Sequence, residues 1–259
     1  MYEFPSWQSY WDFTRRVKTE ERYCRSADVA AFLSAVTATS QKRLTSLTAG
    51  TILWRAQLGC EWAPHEDIEG YEDQRPHSTT RMIPLRSAPT EGRANPVGIP
   101  VLYLATNERT AIAEVRPWVG KSVSVAQFKV MRSLRVLDCS SDVERNFYLQ
   151  EDQPSPEARE AAVWGDINRA FSQPASTEDD RATYIPSQIL AEHFKTLGAD
   201  GVVYNSSLGD GKNIALFDLA AAEVMNCALH EVRGVLFRYD EMTNPYYVAK
   251  HYPALNGEA

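Results

Sequence analysis

Most signatures that announce a familiar chemistry are missing from this chain. Its four cysteines, Cys24, Cys60, Cys139 and Cys227, are far apart and form no C-x-x-C pair. They read as ordinary reduced residues, outside any Cys/His nucleophile pattern. The five histidines are equally scattered, with no H-E-x-x-H or equivalent spacing, so a metal enzyme is not expected. No apolar run approaches the roughly 18 residues that a membrane helix needs. The first residues, MYEFPSWQSYWDF, carry no basic segment ahead of an apolar one, so a cleaved secretory signal is not expected. The expectation is a cytoplasmic protein with no membrane partner, although export without a cleaved signal stays open. Neither G-x-G-x-x-G nor G-x-x-x-x-G-K-[ST] occurs, so a bound nucleotide would not be held in the Rossmann or Walker manner. Positive charge is also scarce, with 27 lysines and arginines against 34 acids. That balance gives no reason to expect a nucleic-acid partner. No repeat and no low-complexity tract is visible.

What is present suffices for a sizeable core: 259 residues, 44% of them hydrophobic. The length allows one large domain, or one domain with an extension. Charge is placed unevenly. Between Arg75 and Arg116 there are six arginines and no lysine against three glutamates, whereas Asp138 to Asp180 holds eleven acids against three arginines. A local surplus of arginine in an acidic protein suits a small anion better than a polymer, because the planar guanidinium matches phosphate or carboxylate in two-pronged fashion. For most of the six, however, solvated surface pairing is the plainer reading.

The organising stretch is GRANPVGIPVLYLATNERTAIAEVR, Gly92 to Arg116. A Gly/Pro-rich loop carries Arg93 and Asn95. Val101 to Ala105 then reads as a buried strand. Asn107 is placed to cap a helix from Glu108 to Val115, and Glu108 suits the positive end of its dipole. Glu114 lies on that short, mostly apolar helix, where an unpaired buried carboxylate would be expensive. Loop, strand and helix together deliver Arg93, Tyr103 and Glu114 to one place, a site for a charged, planar ligand.

Around this stretch, residues 1–50 read as a helical extension, with a second helix from Ala27 to about Leu47. Its aromatic stripe, Trp7 to Phe13, is first of all a packing face. Thr51 to Gln57 is a strand that sets Arg55 among apolar neighbours, either at a wet sheet edge or in a binding site. Residues 59–91 form a long, uneven, polar loop, a lid or an insert. Met82 to Leu85 suggest that part of it packs down. Strands follow at Val123–Val130 and Leu134–Asp138, a helix at 156–171, and a further helix with Pro186 in its first turn and Gly198 closing it. Asp200–Ser206 and Asn213–Asp218 make a hairpin around LGDGK. Ser206, Ser207 and Asn213 flank its turn, where ordinary turn chemistry accounts for them. A last hairpin is expected between Val224–Glu231 and Val235–Tyr239, and 241–259 is a peripheral tail. The irregular alternation of short strands and helices predicts an α+β fold: mixed, largely antiparallel sheets with flanking helices.

Taken as an ordered set, Trp54-Arg55-Ala56, Gly92-Arg93-x-Asn95-x-x-Gly98, Leu102-Tyr103-Leu104-Ala105, Thr110-Ala111-x-Ala113-Glu114-Val115, Tyr204-x-Ser206 and Gly211-x-Asn213-x-Ala215-Leu216-Phe217 resemble the RES domain family. The resemblance spans most of the chain. Ala94 stands where that family more often has an aromatic residue. It implies an ADP-ribosyltransferase-like core over residues 51–240, and the activity of a bacterial toxin or defence effector that destroys NAD+ by hydrolysis or phosphorolysis at the nicotinamide–ribose bond. It also implies a separate antitoxin or immunity protein. NAD+ is then the substrate, and no metal or other cofactor is implied. A homo-oligomer stays open.

On that resemblance the candidate catalytic residues are Glu114, Arg55 and Ser206, and the candidate NAD+-binding residues are Arg93, Tyr103, Asn95 and Asn213. Glu114 would accept the ribose 2′-hydroxyl and steady an oxocarbenium-like sugar. Arg55 and Arg93 would clamp the pyrophosphate, Tyr103 would stack on nicotinamide, and Ser206 would bond the carboxamide or a phosphate. Asn95 and Asn213 would shape the loops, and Gln188 is an outside candidate. Two other readings compete: transfer of ADP-ribose to a macromolecule, which Ile112 at the place of a second acid weakly disfavours, and a non-catalytic nucleotide-binding or partner-binding protein.

Overall fold

The structure, a computed structural model, describes residues 3–85, 91–140, 154–173, 181–237 and 239. Its first elements are helices α1 (Ser9–Thr19) and α2 (Ala27–Ser40). The Ser26 hydroxyl caps α2 by accepting from the Val29 amide at 3.4 Å. The aromatic stripe of α1 is indeed a packing face: Phe13 and Phe32 stack with ring centroids 4.4 Å apart. The expected run of helix to Leu47 is corrected. After Ser40 the chain makes one 3₁₀ turn and enters strand β1 (Leu44–Leu47). A distant strand decides this, because all four residues of β1 pair with Leu134–Leu137.

Strand β2 is Ile52–Leu58. The polar stretch behind it is not all loop, since β3 (Glu61–Pro64) and β4 (Glu72–Arg75) pair as a separate two-stranded hairpin. It is fastened by Ser78, whose amide donates to Glu61 Oε1 at 2.9 Å, and by His77, whose amide donates to the Ser124 hydroxyl at 2.9 Å. Met82 is fully buried beyond it, whereas Leu85 is exposed.

There follow β5 (Leu102–Ala105), helix α3 (Glu108–Glu114), β6 (Ser122–Val130), β7 (Leu134–Asp138), α4 (Pro156–Ser172), α5 (Ile185–Thr196), β8 (Gly201–Asn205), β9 (Lys212–Leu216) and β10 (Ala222–Glu231). The last expected hairpin does not form: residues 235–237 are not strand, and β10 pairs along its length with β6. The expected tail, 241–259, and part of the acidic segment lie outside the described residues.

One eight-stranded sheet runs in the order β1-β7-β8-β9-β5-β2-β6-β10. Every neighbouring pair is antiparallel except β7 and β8, so the mixed, largely antiparallel α+β architecture stands. Helices α1, α2, α4 and α5 bury one face in a cluster that includes Phe13, Phe32, Trp164, Phe194 and Tyr204. The other face carries Leu53, Met82, Phe128 and Leu216. Helix α3 covers a small third cluster with Ala56 and Ala111. Strands β2 and β5 share a single register pair, Trp54 with Ala105. The sheet is therefore two halves joined at one point, and the site lies beside that junction. Among the described residues no helix is long and apolar enough to cross a membrane.

Candidate functional site

Helix α3 is short and starts where its sequence says it should. The Asn107 side chain accepts from the Thr110 amide at 2.8 Å, satisfying one orphan donor of the first turn. The helix ends at Glu114, and two residues on Arg116 has φ 46°, the left-handed conformation that usually falls to glycine after a helix. Thus Glu114 is set at the exposed C-terminal end of α3. It is not the buried carboxylate that the apolar helix suggested, because the hairpin of β8 and β9 brings polar partners to it. The Ser206 hydroxyl donates to Glu114 Oε1 at 2.7 Å and the Asn213 amide donates to the same oxygen at 2.6 Å. No described residue bonds Oε2, which leaves that oxygen for a ligand.

The hairpin is itself locked onto α3. The Gly211 amide donates to the Thr110 hydroxyl at 3.0 Å, and the Lys212 amide donates to the Thr106 hydroxyl at 2.9 Å. Ser206 Oγ accepts from the amides of Leu208 and Gly209 at 3.1 and 3.0 Å. Its one hydrogen points to Glu114 and its lone pairs are occupied, so Ser206 orients the carboxylate and the turn rather than facing open space.

Arg55 is not at a sheet edge, since β2 runs between β5 and β6. Its Nη1 donates to the Tyr103 carbonyl at 3.1 Å, and its buried Nε has no partner among the described residues. Burial lowers its pKa from 12.5 to about 10, which still leaves the guanidinium charged at neutral pH. Desolvated charge of this kind interacts strongly with an incoming anion.

Arg93 donates to the Ala170 carbonyl at 2.9 Å and lies over the Tyr184 ring at 5.0 Å from its centroid. An aromatic partner thus reaches Arg93 from position 184 although position 94 is alanine. The Tyr103 hydroxyl donates to Asn95 Oδ1 at 2.6 Å and accepts from the Ala94 amide at 2.9 Å. Burial pushes that phenol up, so it stays protonated. Asn95 donates to the carbonyls of Ile99 and Pro96, and its side chain is wholly engaged in shaping the loop. Gly92 permits this close fit, because a Cβ there would stand 2.5 Å from the Tyr103 hydroxyl. Gln188 braces the same loop from α5, its amide donating to Glu91 Oε1 and to the carbonyls of Gly92 and Asn95 at 3.0 Å each.

These groups converge on a cavity of about 330 Å³ whose wall includes Arg55, Arg93, Tyr103, Glu114 and Asn213. Ser206 reaches it through Glu114, and Asn95 through Tyr103. Phe171, Tyr184 and Arg116, which the sequence did not single out, also line it, as does Tyr204, which the sequence marked only as part of the Tyr204-x-Ser206 pattern and gave no site role. The aromatic residues sit in ordinary core-patterned elements that the tertiary fold alone turns inward. Arg116 had one local signal, its place in the arginine-rich stretch. Among the described residues no group of three or more His, Cys, Asp or Glu is placed to hold a metal ion.

No curated protein compared with the chain matches it. Among solved structures it is similar to a chain of the M. tuberculosis MbcT–MbcA toxin–antitoxin complex, at 16% identity over 76% of this chain and 92% of that one. The TM-score is 0.40, too low to bear on function. The RES domain matches residues 52–240, well over half of the chain and all of the strands and helices that build the cavity, and the protein therefore belongs to the RES domain family.

Proposed function

We propose that the protein cleaves the nicotinamide–ribose bond of NAD+ and serves as a toxin or defence effector held in check by a separate antitoxin or immunity protein. One observation carries this reading. Glu114 is fixed through Oε1 by Ser206 and Asn213, with Oε2 unbonded, in the same cavity as Arg55 and Arg93. Nicotinamide leaves a pyridinium nucleotide as a neutral base, so little acid is needed, and the barrier lies in the positive charge that develops on the sugar. A carboxylate held rigidly beside that charge lowers the barrier without reorganising. Its free oxygen would accept the ribose 2′-hydroxyl. The two arginines supply positive charge for the pyrophosphate, where paired N–H groups match phosphate oxygens. No metal or further cofactor has a role in this scheme.

The test is proton NMR of NAD+ incubated with the purified protein, with and without phosphate, beside Glu114→Gln. Free nicotinamide is expected from the intact protein, at a rate lowered about 10²–10³-fold in the variant. A phosphate-dependent ribosyl product would identify phosphorolysis. Intact NAD+ after incubation with folded, partner-free protein would sink the reading. The exposed position of Glu114 favours one second reading, transfer of ADP-ribose to a macromolecule that approaches the rim. Radiolabelled ADP-ribose retained on protein or nucleic acid, at the expense of free product, would establish it.

A further inference from the structure

A second cavity of about 370 Å³ adjoins the first and shares Arg55 and Tyr103 with it. The two meet at Arg55 and Tyr103, which belong to β2 and β5. Leu53, Arg55 and Gln57 point to one face of β2, with Trp54 and Ala56 on the opposite face toward α3. The segment 81–85 closes over the Leu53 face. Fully buried Met82 anchors it, and the Gln57 amide donates to the Arg81 carbonyl at 2.8 Å. Arg81, Ile83, Pro84, Leu85 and Val101 thus stand around Arg55 and Gln57. The Arg81 side chain is exposed and makes no hydrogen bond or ion pair among the described residues.

We propose that this second cavity takes the adenylate half of the dinucleotide, with its phosphate between Arg55 and Arg81 and its base against Ile83, Pro84 and Leu85. The identity of the ligand rests on the NAD+ reading above. At about 330 Å³ the first cavity is at the lower end of the roughly 300–1,000 Å³ usual for ligand sites, room for one nucleotide half rather than two. Arg55 lines both cavities, where the pyrophosphate of a ligand spanning them would pass. Its partnerless buried Nε is a donor in want of an acceptor, a state that native proteins seldom leave unexplained. The apolar wall contributed by 83–85 has the character of a base-binding surface, and Arg81 adds the second cation that a phosphate calls for. Glu91 also lines this cavity. It would repel phosphate and suits the other end of the ligand, where ribose hydroxyls and the exocyclic amine are donors.

The test uses the full chain and calorimetric titration with AMP, adenosine and inorganic phosphate, on the native protein, Arg81→Ala and Arg81→Lys. Steady-state kinetics on NAD+ and on nicotinamide mononucleotide, which lacks the adenylate half, run beside it. AMP is expected to bind about tenfold more weakly to Arg81→Ala, with most of the affinity restored by lysine. The KM for NAD+ should rise in Arg81→Ala with kcat unchanged, while turnover of the mononucleotide is unaltered. Equal AMP affinity in the native protein and Arg81→Ala would overturn the proposal, as would no AMP binding at millimolar concentration. Inorganic phosphate binding as tightly as AMP would overturn it in favour of a bare anion site. AMP binding that depends on Arg81 in a protein that leaves NAD+ intact would sustain the adenylate subsite while refuting the cleavage reaction.

Discussion

Ser206 and Glu114 are 92 residues apart in the chain and 2.7 Å apart in space, and their hydrogen bond sets what each can do. Because Ser206 gives its hydrogen to Oε1, substitution by alanine leaves the carboxylate held by Asn213 alone and removes the acceptor for two turn amides. Its effect on turnover should therefore act through Glu114. Ser206→Ala is expected to lower kcat by roughly tenfold, consistent with loss of a hydrogen bond to a charged group, with little change in the KM for NAD+. In a Glu114→Gln background the same substitution should change kcat hardly at all, since residues that act as a unit are strongly non-additive. Measuring the four proteins of this cycle decides the matter. Fully additive losses would mean that Ser206 touches the substrate independently. At Arg55, lysine is not an equivalent. Only the forked guanidinium can reach the Tyr103 carbonyl with one nitrogen and keep others for phosphate.

At the scale of elements, the site depends on a contact between helix α3 and the β8–β9 turn that leaves no room for side chains. A Cβ on Gly211 would lie 2.5 Å from Asn107 Nδ2 and 2.7 Å from the hydroxyls of both Thr106 and Thr110. These are ends of short side chains that already cap the helix or hold the turn, so none can retreat without losing a bond. Gly211→Ala should destabilise the fold by about 1–3 kcal/mol, a fall in Tm of roughly 2–12 °C, and should lower turnover further by pulling Ser206 and Asn213 from Glu114. Thermal unfolding and NAD+ turnover of the variant check both effects; a native Tm and full activity would show that the turn adapts freely. The same elements show what a sequence can reveal. Helix α3 was legible because its cap, Asn107, and its first acidic residue are local signals. The hairpin of β8 and β9 was legible from two apolar runs around Asp-Gly. Strand β1 was not, because LTSL follows a helix without a break and becomes extended only through pairing with β7. Strands β3 and β4 were missed because EWAP and EDQR show no apolar alternation. In the candidate site, Arg55, Arg93 and Glu114 stood out as polar residues in apolar or glycine-rich settings, whereas Ser206 read as ordinary turn chemistry and came forward only through the resemblance to the RES family. Phe171 and Tyr184 gave no signal, and Tyr204 only its place in the family pattern, because aromatic residues in core-patterned segments look alike whether they face a core or a cavity.

For the molecule as a whole, the first forty residues are not an appendage to the sheet. Phe13 and Phe32 are buried in the same cluster as Trp164, Phe194 and Tyr204, and Tyr204 in turn lines the candidate site. Residues on α1, α2, α4, α5 and β8 thus share one core, which the strands by themselves would leave open to water on that face. Removing a large buried side chain from it costs about 3–5 kcal/mol. For Phe13→Ala that corresponds to a fall in Tm of roughly 6–20 °C. Calorimetry distinguishes an integral from a separable extension. In an integral core the variant unfolds in a single transition shifted to lower temperature, with the calorimetric and van't Hoff enthalpies still equal. A separable extension would give a small early transition for the helices and leave the main one in place. We expect the single shifted transition, and we expect a chain lacking residues 1–43 to be insoluble, because it would expose the apolar faces of α4 and α5. A soluble, cooperatively folding fragment that still turns over NAD+ would refute this and make the helices an accessory to a self-sufficient catalytic core.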